Sequence, residues 1–176
     1  MRWIWIDRFT KFEPGKSAQA VKNVSMAEEH LHDHFPGYPV MPASLIIEGV
    51  AQTAGVLICQ ASNFNEKVVL AKISSVEFEG IALPGDTLLY SVEIEKINEQ
   101  FAVAGGKVSI ISAHDKGGNA APKPLASMEL MFSHLDQNMA GRKFPDGNFI
   151  LTEAVSSLLR EILPNGGQKP TSNSSG

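Results

Sequence analysis

The stretch that decides the fold is residues 34–61, HFPGYPVMPASLIIEGVAQTAGVLICQA, which joins a proline-rich loop to the most apolar segment of the chain. Pro42 followed by Ala43 predicts a helix start, with Ser44 as a candidate cap, and the apolar run predicts a helix that continues to about Ala61. Because this helix is apolar on nearly all sides, it must be buried on most of them.

The remainder of the chain has the periodicity of strands. Residues 17–25 alternate, and further strands are predicted after the helix at 68–78, 87–97, 102–114 and 124–135. Successive strands on short connections predict an antiparallel sheet, and a long apolar helix can be buried against one face of it. The expected fold class is therefore α+β.

Composition is that of a single globular domain rather than a disordered chain. The 176 residues are 43% hydrophobic and 19% charged, which is enough to bury a core. The net charge of −4 gives no electrostatic footprint for nucleic acid. We expect one domain over 1–135, a C-terminal extension with a short helix over 136–163, and a disordered tail over 164–176.

The sequence also indicates the cellular compartment of the protein. The single cysteine, Cys59, excludes an intrachain disulfide and fits a reducing cytoplasm. The first residues have too short an apolar run for a signal peptide. Residues 39–61 are the one candidate for a membrane span, but they contain Glu48 and Gln52, so we interpret them as a buried helix with its entry loop. A cytoplasmic protein outside the membrane is expected.

Glu48 is the one charged residue of the predicted helix. Gln52 lies one helical turn later, so the two side chains share a face and can touch. Their neighbours are small or apolar, and burying an unpaired carboxylate there is costly. Either Glu48 points to solvent at the flank of the helix, or it serves as a general acid. His34 lies just before the helix start, where free N–H groups favour a developing negative charge.

A metal site is the alternative to a catalytic histidine. His30, His32 and His34 alternate, and on a strand they would share one face. A zinc site would need a further ligand in fixed geometry, for which Glu28 and Glu29 are the nearby candidates. The catalytic interpretation of His34 is favoured, because the helix with its carboxyl group follows directly.

Residues 34–55 resemble the signature of the hotdog-fold (3R)-hydroxyacyl-[acyl-carrier-protein] dehydratases, in particular the FabZ branch of fatty-acid biosynthesis. The similarity continues at 21–24, 84–86 and 126–131 and covers roughly residues 5–135. The resemblance implies a hotdog fold, in which a curled antiparallel sheet wraps a long central helix. It also implies homodimers with shared active sites, joined edge to edge through their sheets, with a trimer of dimers as a larger alternative.

The resemblance further implies a reaction and a role for each site residue. The reaction is the dehydration of (3R)-3-hydroxyacyl thioesters, carried by acyl carrier protein or by coenzyme A, with no metal or organic cofactor. His34 would remove the C2 proton, and Glu48 of the partner subunit would protonate the departing hydroxyl. Gln52 would orient Glu48. The N–H of Ala43 would receive the thioester oxygen, and the carbonyl of Val40 would fix the tautomer of His34.

Gly37, in the same loop, is expected to contribute to substrate binding. The sequence departs from the family pattern at three places: Ala43 replaces a usual glycine, Tyr38 a basic or polar residue, and Glu79 with Ile81 a basic pair. Such basic residues attract an acidic carrier protein, so the choice of carrier stays open. A hotdog acyl thioesterase and a non-catalytic acyl-binding protein are the alternative functions, although thioesterases of this fold lack the His-Phe-Pro-Gly loop.

Overall fold

The computed structural model describes residues 3–114, 121–135, 153–160 and 162. Within these ranges the chain forms six strands and three helices. In chain order they are β1 (Arg8–Glu13), β2 (Ser17–Asn23), α1 (His30–Asp33), α2 (Ala43–Ala61), β3 (Val68–Phe78), β4 (Thr87–Ile97), β5 (Phe101–Ile111), β6 (Lys123–His134) and α3 (Glu153–Arg160).

Helix α2 has the predicted extent. Pro42 is its N-cap, with a non-helical ψ of 131°, so the helix begins at Ala43. The prediction of Ser44 as a cap is wrong, because Ser44 lies inside the first turn and no side chain caps this end. The helix ends before Asn63 and Phe64, whose φ values of 51° and 58° are left-handed and cannot continue it.

The six strands form one antiparallel sheet in the order β1-β2-β4-β5-β6-β3. The predicted antiparallel pairing is confirmed. Strand β3 does not pair with β4, its neighbour in the sequence, but lies at the far edge beside β6, where Val68 pairs with His134 and Phe78 with Ala126. The connection 79–86 therefore carries the chain from an edge of the sheet back to its middle.

Two glycines allow α2 to approach the sheet closely. A Cβ on Gly49 of the helix would lie 2.5 Å from Cζ of Tyr90 on β4. A Cβ on Gly106 of β5 would overlap the side chain of Val50 in the same way. Tyr90 and Val50 are completely buried in the core that the helix shares with the sheet. This arrangement confirms the α+β class and the central helix of a hotdog fold.

The apolar length of α2 is used for core packing. Among the residues that the structure describes, α2 is the one helix long and apolar enough to cross a membrane, and 67% of its most apolar window is buried inside the protein. Cys59 lies on this helix and is buried. The interpretation of residues 43–61 as a core helix is confirmed.

The helix expected in the C-terminal extension is α3, which contacts β1. Its residues Val155 and Leu159, one turn apart, are buried in the same core as α2. The predicted domain boundary at residue 135 stays a prediction, because residues 136–152 lie outside the described ranges. The predicted tail over 164–176 lies outside them as well.

Gly49→Ala is expected to lower the free energy of unfolding by about 1–3 kcal/mol, because the added methyl group would overlap the rigid ring of Tyr90. Urea unfolding measures this change. Gly55→Ala is the matched control, since its Cβ would lie 3.7 Å from Cε1 of Phe132, an ordinary contact. The control should gain about 0.5–1 kcal/mol from the better helix propensity of alanine. Equal effects of the two substitutions would contradict the close approach at Tyr90.

Candidate active site

The loop that carries His34 is closed by a tight turn. Phe35 and Tyr38 exchange two backbone hydrogen bonds, of 3.0 and 2.9 Å, around Pro36 and Gly37. Gly37 has a φ of 77°, a positive value such as a type II turn requires at its third position, and glycine takes it without steric cost. The turn therefore fixes the backbone direction of the loop that carries His34.

Val40 holds the His34 ring. Nδ1 of His34 lies 2.8 Å from the carbonyl oxygen of Val40, and the N–H of Val40 donates to the carbonyl of His34 at 2.7 Å. A carbonyl only accepts hydrogen bonds, so in the neutral ring Nδ1 carries the proton and Nε2 keeps a lone pair. The ring of Phe35 stacks on His34 with 4.4 Å between centroids. The half-buried imidazole is thus oriented with a basic nitrogen free to accept a proton.

The start of α2 follows this loop and supplies a hydrogen-bond donor. Ala43 is the first helical residue, so its N–H has no intrahelical acceptor. Within the described ranges, the non-glycine residues with positive φ are Asn63 and Phe64, so Ala43 has an ordinary backbone conformation and alanine causes no strain. The N–H of Met41 donates to the carbonyl of Ala82 at 2.9 Å, which fixes the entry to the helix.

Glu48 and Gln52 touch, as their helical spacing predicts. Nε2 of Gln52 donates to Oε1 of Glu48 at 2.8 Å and to the carbonyl of Trp3 at 3.0 Å. Oε1 of Gln52 accepts the N–H of Trp5 at 2.8 Å. Gln52 is only 5% exposed, whereas Glu48 is half-buried. The amide therefore has a fixed orientation, and one carboxyl oxygen of Glu48 is held by it.

Asp86 is a buried anchor that the sequence analysis missed. Its Oδ2 accepts the N–H of Leu83 at 2.8 Å, and its Oδ1 accepts the N–H of Ala113 at 3.0 Å and the hydroxyl of Ser112 at 3.1 Å. These bonds hold the connection 79–86, whose Ala82 supports the entry to α2. An aspartate directly after a Pro-Gly turn was the available signal, because such residues often bond neighbouring backbone groups.

The idea that His30, His32 and His34 share one face of a strand is wrong, because these residues do not form a strand. His30 and His32 belong to α1 rather than to a strand. Nε2 of His32 lies 3.0 Å from the carbonyl of Met26, while the ring of His30 packs edge-on against Trp5 with 5.2 Å between centroids. Burial lowers the pKa of His30 below its ordinary value. Each ring thus meets a different part of the protein.

His34 and Glu48 have separate hydrogen-bond partners within one chain. Among the hydrogen bonds and ion pairs of the described residues, none joins them. Each is nevertheless oriented by its own partner, Val40 for the imidazole and Gln52 for the carboxyl group. The groups present are a basic nitrogen, a free backbone N–H at a helix start and a held carboxyl group. Such groups can move protons to and from a substrate and stabilise an oxyanion.

Comparison with known proteins shows which family the chain resembles. The FabA-like domain model matches residues 3–115. The chain is 41% identical over 115 residues to the 3-hydroxyacyl-[acyl-carrier-protein] dehydratase FabZ of Fusobacterium nucleatum subsp. nucleatum, a match that spans 63% of this chain and 79% of the relative. It is 42% identical over 111 residues to the FabZ of Pediococcus pentosaceus, over 59% of this chain and 74% of the relative.

Solved structures share the fold at low sequence identity. An acyl-CoA hydrolase from Staphylococcus aureus in complex with butyryl coenzyme A superimposes with a TM-score of 0.54 at 17% identity, over 76% of this chain and 77% of that one. A conserved protein from Pseudomonas aeruginosa gives 0.54 at 14% identity, over 73% and 87%. The dehydratase heterocomplex ApeI:P from Xenorhabdus doucetiae gives 0.50 at 15% identity, over 69% and 99%. At these identities the likeness shows the hotdog fold alone.

The hydrogen bonds predict opposite tautomers for two neighbouring histidines. In the neutral form, His34 should carry its proton on Nδ1, because Val40 accepts there, whereas His32 should carry it on Nε2, because Met26 accepts there. Long-range 1H–15N correlation spectra, assigned with His34→Gln and His32→Gln variants, measure both. A neutral His34 protonated on Nε2 would contradict the orientation of its ring.

Proposed function

The chain belongs to the FabA-like domain family, as a FabZ-like hotdog dehydratase, and we propose from this that it converts (3R)-3-hydroxyacyl thioesters of acyl carrier protein to trans-2-enoyl thioesters in fatty-acid or related lipid or polyketide biosynthesis. The observation that carries the proposal is the arrangement along residues 34–52. A base held by Val40, a free N–H at Ala43 and a carboxyl group held by Gln52 follow one another there.

The first step is removal of a proton from C2 of the substrate by His34. Nε2 accepts this proton because Nδ1 is engaged with Val40. Negative charge then develops on the thioester oxygen. The N–H of Ala43, at the positive end of α2, would receive that oxygen, and Gly37 would contribute to substrate binding. One donor of this kind is worth roughly 3–4 kcal/mol in a comparable oxyanion site.

The second step is loss of the C3 hydroxyl. Glu48 donates a proton to that oxygen while the electron pair from C2 forms the C2–C3 double bond, so that the C3–O bond breaks and water leaves. The imidazolium of His34 then returns its proton to the carboxylate of Glu48, and both groups regain their starting states. Gln52 keeps the carboxyl group in position throughout, because its amide is itself buried and held.

The two catalytic groups would meet across a dimer. Strand β3 has eleven residues and, among the described strands, pairs only with β6, so its other edge offers unpaired backbone groups to a second chain. Leu70 and Ile73 on this strand are exposed apolar residues. The strand leads directly into the connection that contacts Met41. We propose, in line with the family resemblance, that pairing of two copies through β3 brings His34 of one copy near Glu48 of the other. A trimer of such dimers stays a further expectation.

The exposed residues just after β3, Glu79 and Ile81, affect which thioester carrier the protein can attract. Glu79 and Ile81 are both exposed, and Ile81 is 50% so. An acidic carrier protein would meet a negative and an apolar residue there rather than two positive charges, which weakens long-range attraction. We still propose acyl carrier protein as the carrier, because the relatives at about 40% identity are named for it, with coenzyme A thioesters as the alternative. A cytoplasmic location, with Cys59 reduced, belongs to the same proposal.

Glu48→Gln is expected to lower turnover by about a hundredfold or more, the scale of a lost general acid, without unfolding the protein. The assay follows the ultraviolet absorbance of the enoyl thioester formed from 3-hydroxybutyryl thioesters of coenzyme A and of carrier protein. Glu99→Gln makes the same change at an exposed turn and should leave turnover unaltered.

Two outcomes would count against the proposal. Near-normal turnover of the Glu48 variant would remove this carboxyl group from the mechanism. Release of free thiol by the wild-type protein, without formation of enoyl product, would identify a thioesterase instead.

A further inference from the structure

The N-terminal segment holds the Gln52 amide by both of its ends. The carbonyl of Trp3 accepts from Nε2 at 3.0 Å, and the N–H of Trp5 donates to Oε1 at 2.8 Å. We propose that this backbone clamp, residues 3–5, selects one of the two orientations of the Gln52 amide and thereby keeps the catalytic proton of Glu48 available to the substrate. The inference rests on the proposed role of Glu48 as general acid.

The amide of Gln52 could satisfy Glu48 in either orientation. An ionised carboxylate would accept from Nε2, whereas a protonated carboxyl group could donate to Oε1 of a flipped amide. In the flipped case the acidic proton would be bound to Gln52 instead of the substrate. Glu48 alone therefore does not choose the orientation that catalysis needs.

The clamp makes this choice. In the flipped orientation, Oε1 of Gln52 would face the carbonyl of Trp3, two acceptors together, and Nε2 would face the N–H of Trp5, two donors together. Both contacts would be lost in a side chain that is nearly inaccessible to water, where unmade hydrogen bonds are costly. With Nε2 turned to Oε1 of Glu48, that oxygen is an acceptor, so the proton resides on Oε2.

The segment itself is anchored on the body of the protein. The ring of Trp5 packs against His30, and Ile6 is buried in the core. The N–H of Asp7 donates to the carbonyl of Val21 on β2 at 2.7 Å. The clamp is therefore a fixed part of the structure, held by α1 and the sheet, and Trp3 and Trp5 act as positioning residues through their backbone.

Trp5→Pro and Trp5→Ala separate the hydrogen bond from the side chain. Both remove the indole, but only proline removes the N–H that Oε1 of Gln52 accepts. We expect kcat of Trp5→Pro to lie on the order of tenfold below that of Trp5→Ala, with similar KM values, because only proton delivery is affected.

A spectroscopic measurement reports the clamp without activity. In protein labelled with 15N at glutamine side chains, the two Gln52 amide protons, assigned by their loss in Gln52→Glu, should exchange slowly with water in the wild type and in Trp5→Ala. They should exchange faster in Trp5→Pro, because that variant lacks one of the three hydrogen bonds that fix the amide. In Glu48→Ala the proton bound to the Trp3 carbonyl should stay protected, because the clamp does not depend on Glu48. This last variant tests the clamp even if Trp5→Pro fails to fold.

The outcomes separate the clamp from the proposed function. Equal kcat in Trp5→Pro and Trp5→Ala, or loss of all Gln52 protection in Glu48→Ala, would overturn the clamp while an inactive Glu48→Gln still supported the dehydratase. Full activity of Glu48→Gln would overturn the proposed function and, with it, the catalytic purpose of the clamp, whatever the amide exchange shows.

Discussion

The contact on which the rest of the structure depends is the one between Gly49 and Tyr90. Because no Cβ separates the helix from the ring, α2 packs closely against β4. This close packing sets the positions of the side chains and backbone groups that α2 carries. Glu48, the preceding residue, is carried to a half-buried position at the flank. Ala43, one and a half turns earlier, presents its free N–H beside the loop of His34. The ring of Tyr90 is completely buried, and burial raises the pKa of its hydroxyl far above the ordinary value.

Sequence patterns predicted the parts of this fold that depend on local chemistry. The apolar run after Pro42 gave α2, the alternating segments gave the strands, and a spacing of four residues placed Glu48 against Gln52. The position of β3 beside β6 could not be read in this way, because strand pairing at long range leaves little local signal. The alternating histidines would share one face only on a strand, and residues 30–33 form a helical turn instead, so the alternative of a metal site loses its geometric basis.

The support of the site was the least predictable part. Trp3 and Trp5 meet Gln52 across 49 and 47 residues, and they do so through backbone atoms that every residue type possesses. Asp86 holds the loop behind the site through three donors from two segments, one from Leu83 and two from the adjacent residues Ser112 and Ala113. The departures from the family pattern differ in their structural consequences. Ala43 is compatible with its helical backbone, whereas Glu79 and Ile81 change the charge of the exposed rim.

Subunit mixing tests directly whether His34 of one subunit and Glu48 of another form one site. Inactive His34→Ala and Glu48→Gln proteins are combined, and exchange is confirmed by mass spectrometry of differently tagged chains. In a mixed dimer one site collects both substitutions and the other collects none, so random pairing should restore about a quarter of wild-type activity. If exchange is complete and no activity returns, both residues serve a site within one chain, and the shared site is contradicted.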